Sequence, residues 1–333
     1  MNDSETAIFD EGIFPDWLTG PLGPLGPGAV PLRGERLRQW GLSEVWRIEP
    51  GGPGPRSVVV KRGTGEMAEE ARRYRDLLVP LGLPAPRLIA AVGGSGAEPG
   101  LMVLEDVGRD TLEQRPTAEG YREAVRTLAR MRATAAHGLA RDPALGAELR
   151  RSAADFADLA ARAATGLGAL RPDLTGALDA PALRLAERLA ALDRQTEDDP
   201  DGAGGPGAVT NVHSDFHAKN LVHGDGGRIT PVDWPGAYLH AHLGDLYCLL
   251  REARKLGIGE EVQLGALPGV FADAAGIDPA SVPDLLVTGG LCWTVIALRW
   301  VVEEGVRAVP ESADWIDELV AEARALAEVG IVC

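Results

Sequence analysis

The chain is poor in cysteine, in lysine and in net positive charge. Its three cysteines, Cys248, Cys292 and Cys333, are scattered and form no CxxC pair. That excludes a disulfide framework and a zinc knuckle, and points to a reduced compartment. Lys and Arg number 33 against 49 Asp and Glu, a net charge of -16. Nucleic acid and anionic membranes select the opposite sign, so neither is an expected partner. An acidic cleft suits a cationic small molecule. The longest uncharged apolar run, Leu285 to Leu298, contains Gly289-Gly290 and is too short to cross a bilayer. The opening MNDSETAIFDEG is acidic and polar, unlike a secretory leader. The expectation is a soluble, cytoplasmic protein, and 333 residues suffice for two lobes.

Lysine occurs only at 61, 219 and 255. Against thirty arginines, each marks a position where arginine's wide planar fork does not serve.

Three divisions are expected: an N-terminal extension over 1–30, a small lobe over 31–106 and a large lobe over 107–333. The first ends in the Gly/Pro-rich GPLGPLGPGAV, without helical or strand period. LSEVWRI (42–48) and SVVVKR (57–62) read as strands around the turn GGPGP. Met67, Ala71, Tyr74 and Leu78 form a helical stripe over 66–79, which should stop before Pro80 and Gly82. Strands follow in LPAPRLIAAV and in LMVLEDV (101–107). Thr117 is placed to cap a helix through Arg132, with Tyr121, Val125, Leu128 and Met131 inward. Helical sequence continues to about 195. A loop at 197–207 leads to two short strands, 208–223 and 228–234, read as a hairpin around a polar loop. Residues 243–330 are mostly helical. The fold class is α+β: a β-rich lobe with one helix, then a larger α-helical lobe, joined near Glu105 to Gly108.

The chemistry concentrates in that hairpin. Five of the six histidines lie between 213 and 242. His213, Asp215, Asn220 and Asp233 follow H-x-D-x4-N and then a short strand ending in Asp, the spacing of a kinase catalytic loop. Phosphoryl transfer passes through a loose, charged transition state and is catalysed by positioning and electrostatics. Asp215 is placed to orient an attacking hydroxyl and take its proton. Asn220 and Asp233 offer the hard oxygens that Mg2+ requires. Lys61, ending an apolar strand, is a candidate to hold ATP phosphates. Glu70 lies on the inward face of the following helix and is the expected partner of Lys61, with Glu66 as the fallback. The turn containing Ser43 is placed to offer groups to phosphate, and Glu105 and Val107 are candidates for an adenine-binding hinge.

Dense His and Asp admit a second reading, a metal-dependent hydrolase with zinc held among His213, Asp215, His217, His240, His242, Asp233 and Asp245. It leaves Lys61, the hinge and Asn220 without a role. The GxGxxG match at 202–207 precedes a strand rather than a helix, so a dinucleotide site fails on context. No GxxxxGK[ST] sequence occurs.

The motifs VHSDFHAKNLV, PVDW and GDLYCLL resemble those of the aminoglycoside phosphotransferase and choline-kinase-like family, over about Leu37 to Leu250. The resemblance implies a bilobal protein-kinase-like fold and a kinase acting on small hydroxyl-bearing molecules, an antibiotic or related metabolite, with ATP and Mg2+. It implies Asp215 as base, Asn220 and Asp233 as metal ligands, Lys61 with Glu70 as the ATP-positioning pair, and a buttressing role for His213 and Asp245. Four positions depart from the family pattern: Ser214 for Gly, Ala218 for Pro, Pro235 for an acidic or small residue, and Arg132 for His. They bear on the acceptor more than on the reaction. Acids Glu303, Glu304, Asp314, Asp317 and Glu318 are candidates to meet acceptor amino groups. Trp293, Trp300 and Trp315 are read as core packing before acceptor wall.

Overall fold

The structure, a computed structural model, describes residues 7–10, 14–20, 22, 30–52, 54–94, 98–198, 205 and 207–329. Most of the Gly/Pro-rich stretch 20–30, most of the GxGxxG match and Cys333 lie outside these residues.

The small lobe is one antiparallel sheet in the order β1-β2-β3-β4-β6-β5. Its strands are β1 (Ala7–Asp10), β2 (Pro31–Trp40), β3 (Ser43–Pro50), β4 (Val58–Gly63), β5 (Leu88–Gly93) and β6 (Gly100–Glu105). The sequence reading found β3 to β6 but neither β1 nor β2. The segment before residue 31 also contributes to this lobe: Leu18 and Leu22 are buried with Trp46, Ile48, Val58, Val60 and Val103 on the outer face.

Cross-strand partners share a face of a sheet. The register Val45↔Lys61↔Met102 therefore sets those three side chains together, while Trp46↔Val60↔Val103 occupy the other face. Met102 and Leu104 enter the main core with the large lobe, so the Lys61 face is the one turned to the cleft. Behind β4, one continuous helical stretch covers 65–81. It begins as a 3-10 turn, is α-helical over Glu70–Arg73 and widens to a π turn at Tyr74–Leu78. Pro80 falls inside its last turn rather than beyond it, and Gly82, left-handed at φ 64°, ends the helix.

The large lobe is built on the Ala118–Arg141 helix, capped by Thr117 accepting from the Gly120 N–H. It runs nine residues past the expected end, and Tyr121, Val125, Leu128 and Met131 are fully buried. The chain over 210–240 is not one hairpin. β7 (Thr210–Val212) pairs with β10 (Tyr238–His240), and β8 (Leu221–His223) pairs with β9 (Ile229–Pro231). His213 to Asn220 thus crosses from one ladder to the other, and Asp233 lies on the return crossing.

Helical sequence over Pro279–Ala308 is long and apolar enough to span a membrane by composition, yet its most apolar window is 61% buried. It packs against the Ala153–Leu170, Gly244–Lys255 and Ile316–Glu328 helices and is a core helix. A Cβ on Gly289 would lie 2.4 Å from Gly244 N. Only glycine there lets this helix approach the turn that carries Asp245.

Candidate active site

Lys61 is the junction of the two lobes. Its Nζ contacts Glu70 Oε2 and Asp233 Oδ1, and the residue is only 6% exposed. Glu70 Oε1 also accepts from the Trp234 N–H at 2.9 Å. One lysine thus ties β4, the helix behind it and the loop after β9. Burial opposes the charge on Lys61, but Asp233 and Glu70 outweigh it and raise its pKa. Burial raises Glu70, against the pull of Lys61. Burial also works against ionised Asp233, but Lys61 and Arg38 hold its carboxyl down. Arg38 Nη1 lies 3.4 Å from Asp233 Oδ2. Glu66, the fallback partner, turns elsewhere and meets Arg299 at 2.7 and 3.1 Å.

Asp215 is framed on both oxygens. His217 Nε2 donates to Oδ1 at 2.9 Å, and Asn220 Nδ2 donates to Oδ2 at 2.9 Å and to the Asp215 carbonyl at 3.0 Å. Desolvation pushes this carboxyl up, but His217, Lys219 and His213 together hold it well below the usual range. Its side chain is 49% exposed, and each oxygen keeps a second lone pair for a hydroxyl. The donor end of Asn220 is engaged with Asp215, so its oxygen is the end left for a cation. That amide oxygen and the Asp233 carboxylate are hard-oxygen donors of the kind magnesium takes.

The loop is held from beneath. Asp245 accepts the His213 N–H at 2.7 Å and the Ser214 N–H at 2.9 Å. Burial raises its pKa to about 6 against those two bonds. His213 uses both ring nitrogens, Nε2 toward the Val232 carbonyl at 3.1 Å and Nδ1 accepting from the Asp215 N–H at 3.3 Å. Burial lowers it to about 4, which keeps the ring neutral. Ser214 and Asp233 both take left-handed backbone, φ 77° and 70°. Such strain in non-glycine residues is held only where surrounding bonds over-determine it. Arg132 donates to the Ala241 and His242 carbonyls at 2.5 and 3.0 Å and adds a positive charge near Asp245.

Other expected residues lie apart from this cluster. Ser43 pairs with Gly63 and Trp40 across the sheet, and its buried Oγ finds no partner among the described residues. Glu105 ends β6, its N–H held by the Arg87 carbonyl at 2.9 Å. Between it and Val107, Asp106 is braced by Arg47 and Ser57 at 2.8 and 2.7 Å. The sequence reading missed Arg38, and it counted His217 only among zinc ligands; the clue for His217 was its i+2 spacing from Asp215.

The zinc arrangement does not assemble. His242 is engaged by the Tyr238 hydroxyl at 2.9 Å and the Gly244 N–H at 3.0 Å, and the His240 ring lies tilted beside it, centroids 4.7 Å apart. Among the described residues no three His, Cys, Asp or Glu side chains converge on a metal position.

Solved structures of similar fold bind both a nucleotide and a second small molecule. Spectinomycin phosphotransferase, APH(9)-Ia, with ADP and spectinomycin, superposes with TM-score 0.57 at 14% identity, covering 96% of this chain and 100% of that one. APH(3'')-Id from Streptomyces rimosus, with ADP and streptomycin, gives 0.53 at 20% identity over 83% and 97%. A thermostable mutant of APH(4)-Ia, with AMP-PNP and hygromycin B, gives 0.52 at 17% identity over 90% and 94%. At these identities the likeness shows the fold. No curated protein matches the sequence. The phosphotransferase enzyme (APH) family pattern matches residues 36–282, about three quarters of the chain, and the chain belongs to that family: it is an ATP-dependent small-molecule O-phosphotransferase of protein-kinase-like fold.

Proposed function

We propose that the enzyme phosphorylates a hydroxyl of an antibiotic or related natural product, with Asp215 as the base. The observation that carries this is the convergence on one cleft of Lys61, Glu70 and Asp233 from three separate segments, beside an Asp215 carboxylate aligned by His217 and Asn220. Asp215 receives the acceptor hydroxyl's hydrogen bond and takes its proton as the new O–P bond forms and the bond from the γ-phosphorus to its bridging oxygen breaks, ADP leaving with that electron pair. Its depressed pKa keeps it ionised through the neutral range, so it acts first by orientation. Asn220 and Asp233 are the residues to hold magnesium, which when bound supplies charge neutralisation on the phosphates. Lys61, oriented by Glu70, binds nucleotide phosphate. Backbone N–H groups of the turn containing Ser43 serve the same end, and Glu105 and Val107 border the base. His213 and Asp245 hold the loop.

The acceptor side is sharper than the sequence suggested. Glu303 is taken by Arg162 and Arg299, Asp317 by Arg171, and Glu318 by Arg251 and Lys255. Glu304 and Asp314 make no ion pair among the described residues; Asp314 is exposed, while Glu304 is half-buried, with its pKa raised by desolvation and by Glu66. Trp300 stacks on Trp315 and touches Trp40 at the hairpin tip, both at 6.3 Å. Trp293 instead packs under Arg251 at 4.7 Å. An aromatic wall with carboxylates left unpaired beside it suits a ring-bearing cationic acceptor. The likeness to folds holding spectinomycin, streptomycin or hygromycin B supports the same class.

The test is a transfer screen with ATP and magnesium over hydroxylated antibiotics and metabolites, read as a mass gain of one phosphate group. Transfer to such an acceptor by the wild type, lost in Asp215→Ala, is the expected result. Equal transfer by the variant would remove Asp215 from the mechanism.

A further inference from the structure

β2 is rich in arginine, with Arg33, Arg36 and Arg38, and the sheet sends two of these to opposite faces. Arg36 pairs with Trp46 and lies over its ring at 5.8 Å on the outer face. Residues two apart in a regular strand share a face, so Arg38 would follow it outward. A bulge between Arg36 and Arg38 breaks the alternation and sets Arg38 opposite Val45, whose partner on the next strand is Lys61. Bulges beside active sites re-aim side chains in this way. The result is a row of Arg38, Val45 and Lys61 on the face turned to the cleft.

We propose that Arg38 is a polyphosphate-binding residue that grips the nucleotide's phosphate chain beside Lys61. The inference rests on the nucleotide-site reading given above. Three carboxylates, Glu70, Asp215 and Asp233, meet at this cleft, and a triphosphate adds more negative charge. Lys61 is committed between two of them. The hairpin tip is only Gly41-Leu42, between Trp40 and Ser43, and lacks the G-x-G-x-x-G loop whose backbone covers phosphates in protein kinases. A second cation makes up those donors. Arg38 already reaches Asp233 at 3.4 Å, its side chain is 43% exposed, and its guanidinium lies 5.3 Å from the Trp40 ring centroid. A guanidinium fork matches phosphate oxygens in pairs. The fork that holds Asp233 in the structure is thus placed to take phosphate.

Calorimetric titration of the full chain with AMP-PNP and with adenosine, in magnesium, separates the outcomes. Arg38→Gln is expected to weaken AMP-PNP binding ~10- to 100-fold and leave adenosine binding near wild type. Arg38→Lys should fall between, and the outer-face control Arg36→Gln should bind AMP-PNP as wild type does. Equal losses for both ligands would make Arg38 structural, and unchanged or tighter AMP-PNP binding would make it a mere cover for Asp233; either overturns the proposal. A wild-type chain that binds neither ligand would overturn the nucleotide reading along with it.

Discussion

His217 donates from Nε2 to Asp215 Oδ1 across 2.9 Å. With Asn220 on the other oxygen, it fixes the plane of the carboxylate without occupying the lone pairs that face solvent. Asp215→Ala should lower kcat by ~10²- to 10⁴-fold, the usual share of a positioned base, with AMP-PNP binding retained. His217→Ala keeps the base but frees one side of it. It should cost about tenfold in kcat, the worth of one charge-assisted hydrogen bond, with KM for ATP little changed. Wild-type turnover in His217→Ala would show that Asn220 alone aligns the carboxylate.

Lys61 neutralises two carboxylates, one of which is wholly buried. Lys61→Met should therefore unfold more easily by about 3–5 kcal/mol near neutral pH, the cost of stranding a buried charge. Without the lysine, Glu70, already raised by burial, titrates higher still. A raised acid favours the fold at low pH and loses that contribution as pH climbs through its folded pKa. The deficit should accordingly shrink from pH 7 toward pH 5. Lys61→Met with Glu70→Gln should recover much of the stability and none of the phosphate transfer. Urea unfolding at the two pH values tests this; a pH-independent deficit would remove Glu70 from the account.

Much of this site was legible because kinase chemistry fixes residue types at fixed spacings within short segments. His213, Asp215, Asn220 and Asp233 share one stretch, and Lys61 stood out as one of three lysines. The strands that alternate or carry β-branched runs were visible for the same reason. β2 was not, because its cleft-side face carries Arg33, Glu35 and Arg38 before Trp40, of which Glu35 and Arg38 meet charged partners rather than a core, and its bulge breaks the period. Arg38 could be assigned to the cleft only once the register was known. The acids of the last helices are a related case: sequence shows the carboxylates but not that Arg251, Arg162 and Arg171, 67 to 146 residues away in the chain, meet Glu318, Glu303 and Asp317.

Asp245 titrates at about 6 against an ordinary 3.8 because burial outweighs two backbone hydrogen bonds. The sign follows from proton binding. Between these values the folded chain holds a proton that the unfolded chain has lost, so this group's contribution to stability declines as pH rises from about 4 to 6. The full change is about 3 kcal/mol at one unit per 1.36 kcal/mol. Asp245→Asn removes the titration, so the wild type's advantage over it should narrow across that window, read by denaturant unfolding at half-unit steps. A constant difference from pH 4 to 7 would mean that Asp245 is ionised throughout.

Arg299 joins the lobes from the acceptor side. Its fork meets both oxygens of Glu66, at 2.7 and 3.1 Å, and it also reaches Glu303 at 3.1 Å. Glu66 opens the helical stretch that carries Glu70 one turn later, so the pair links the acceptor helices to the element that orients Lys61. Glu66 is partly exposed, which limits the pair's worth to about 0.5–1 kcal/mol. A double-mutant cycle with Glu66→Ala and Arg299→Ala should return a coupling of that size by urea unfolding, declining in 1 M salt. The functional consequence is larger than the energy. Either single variant lets the helix shift relative to the acceptor wall, so KM for ATP and KM for the acceptor should rise together. A rise confined to the acceptor would show that Arg299 acts only locally.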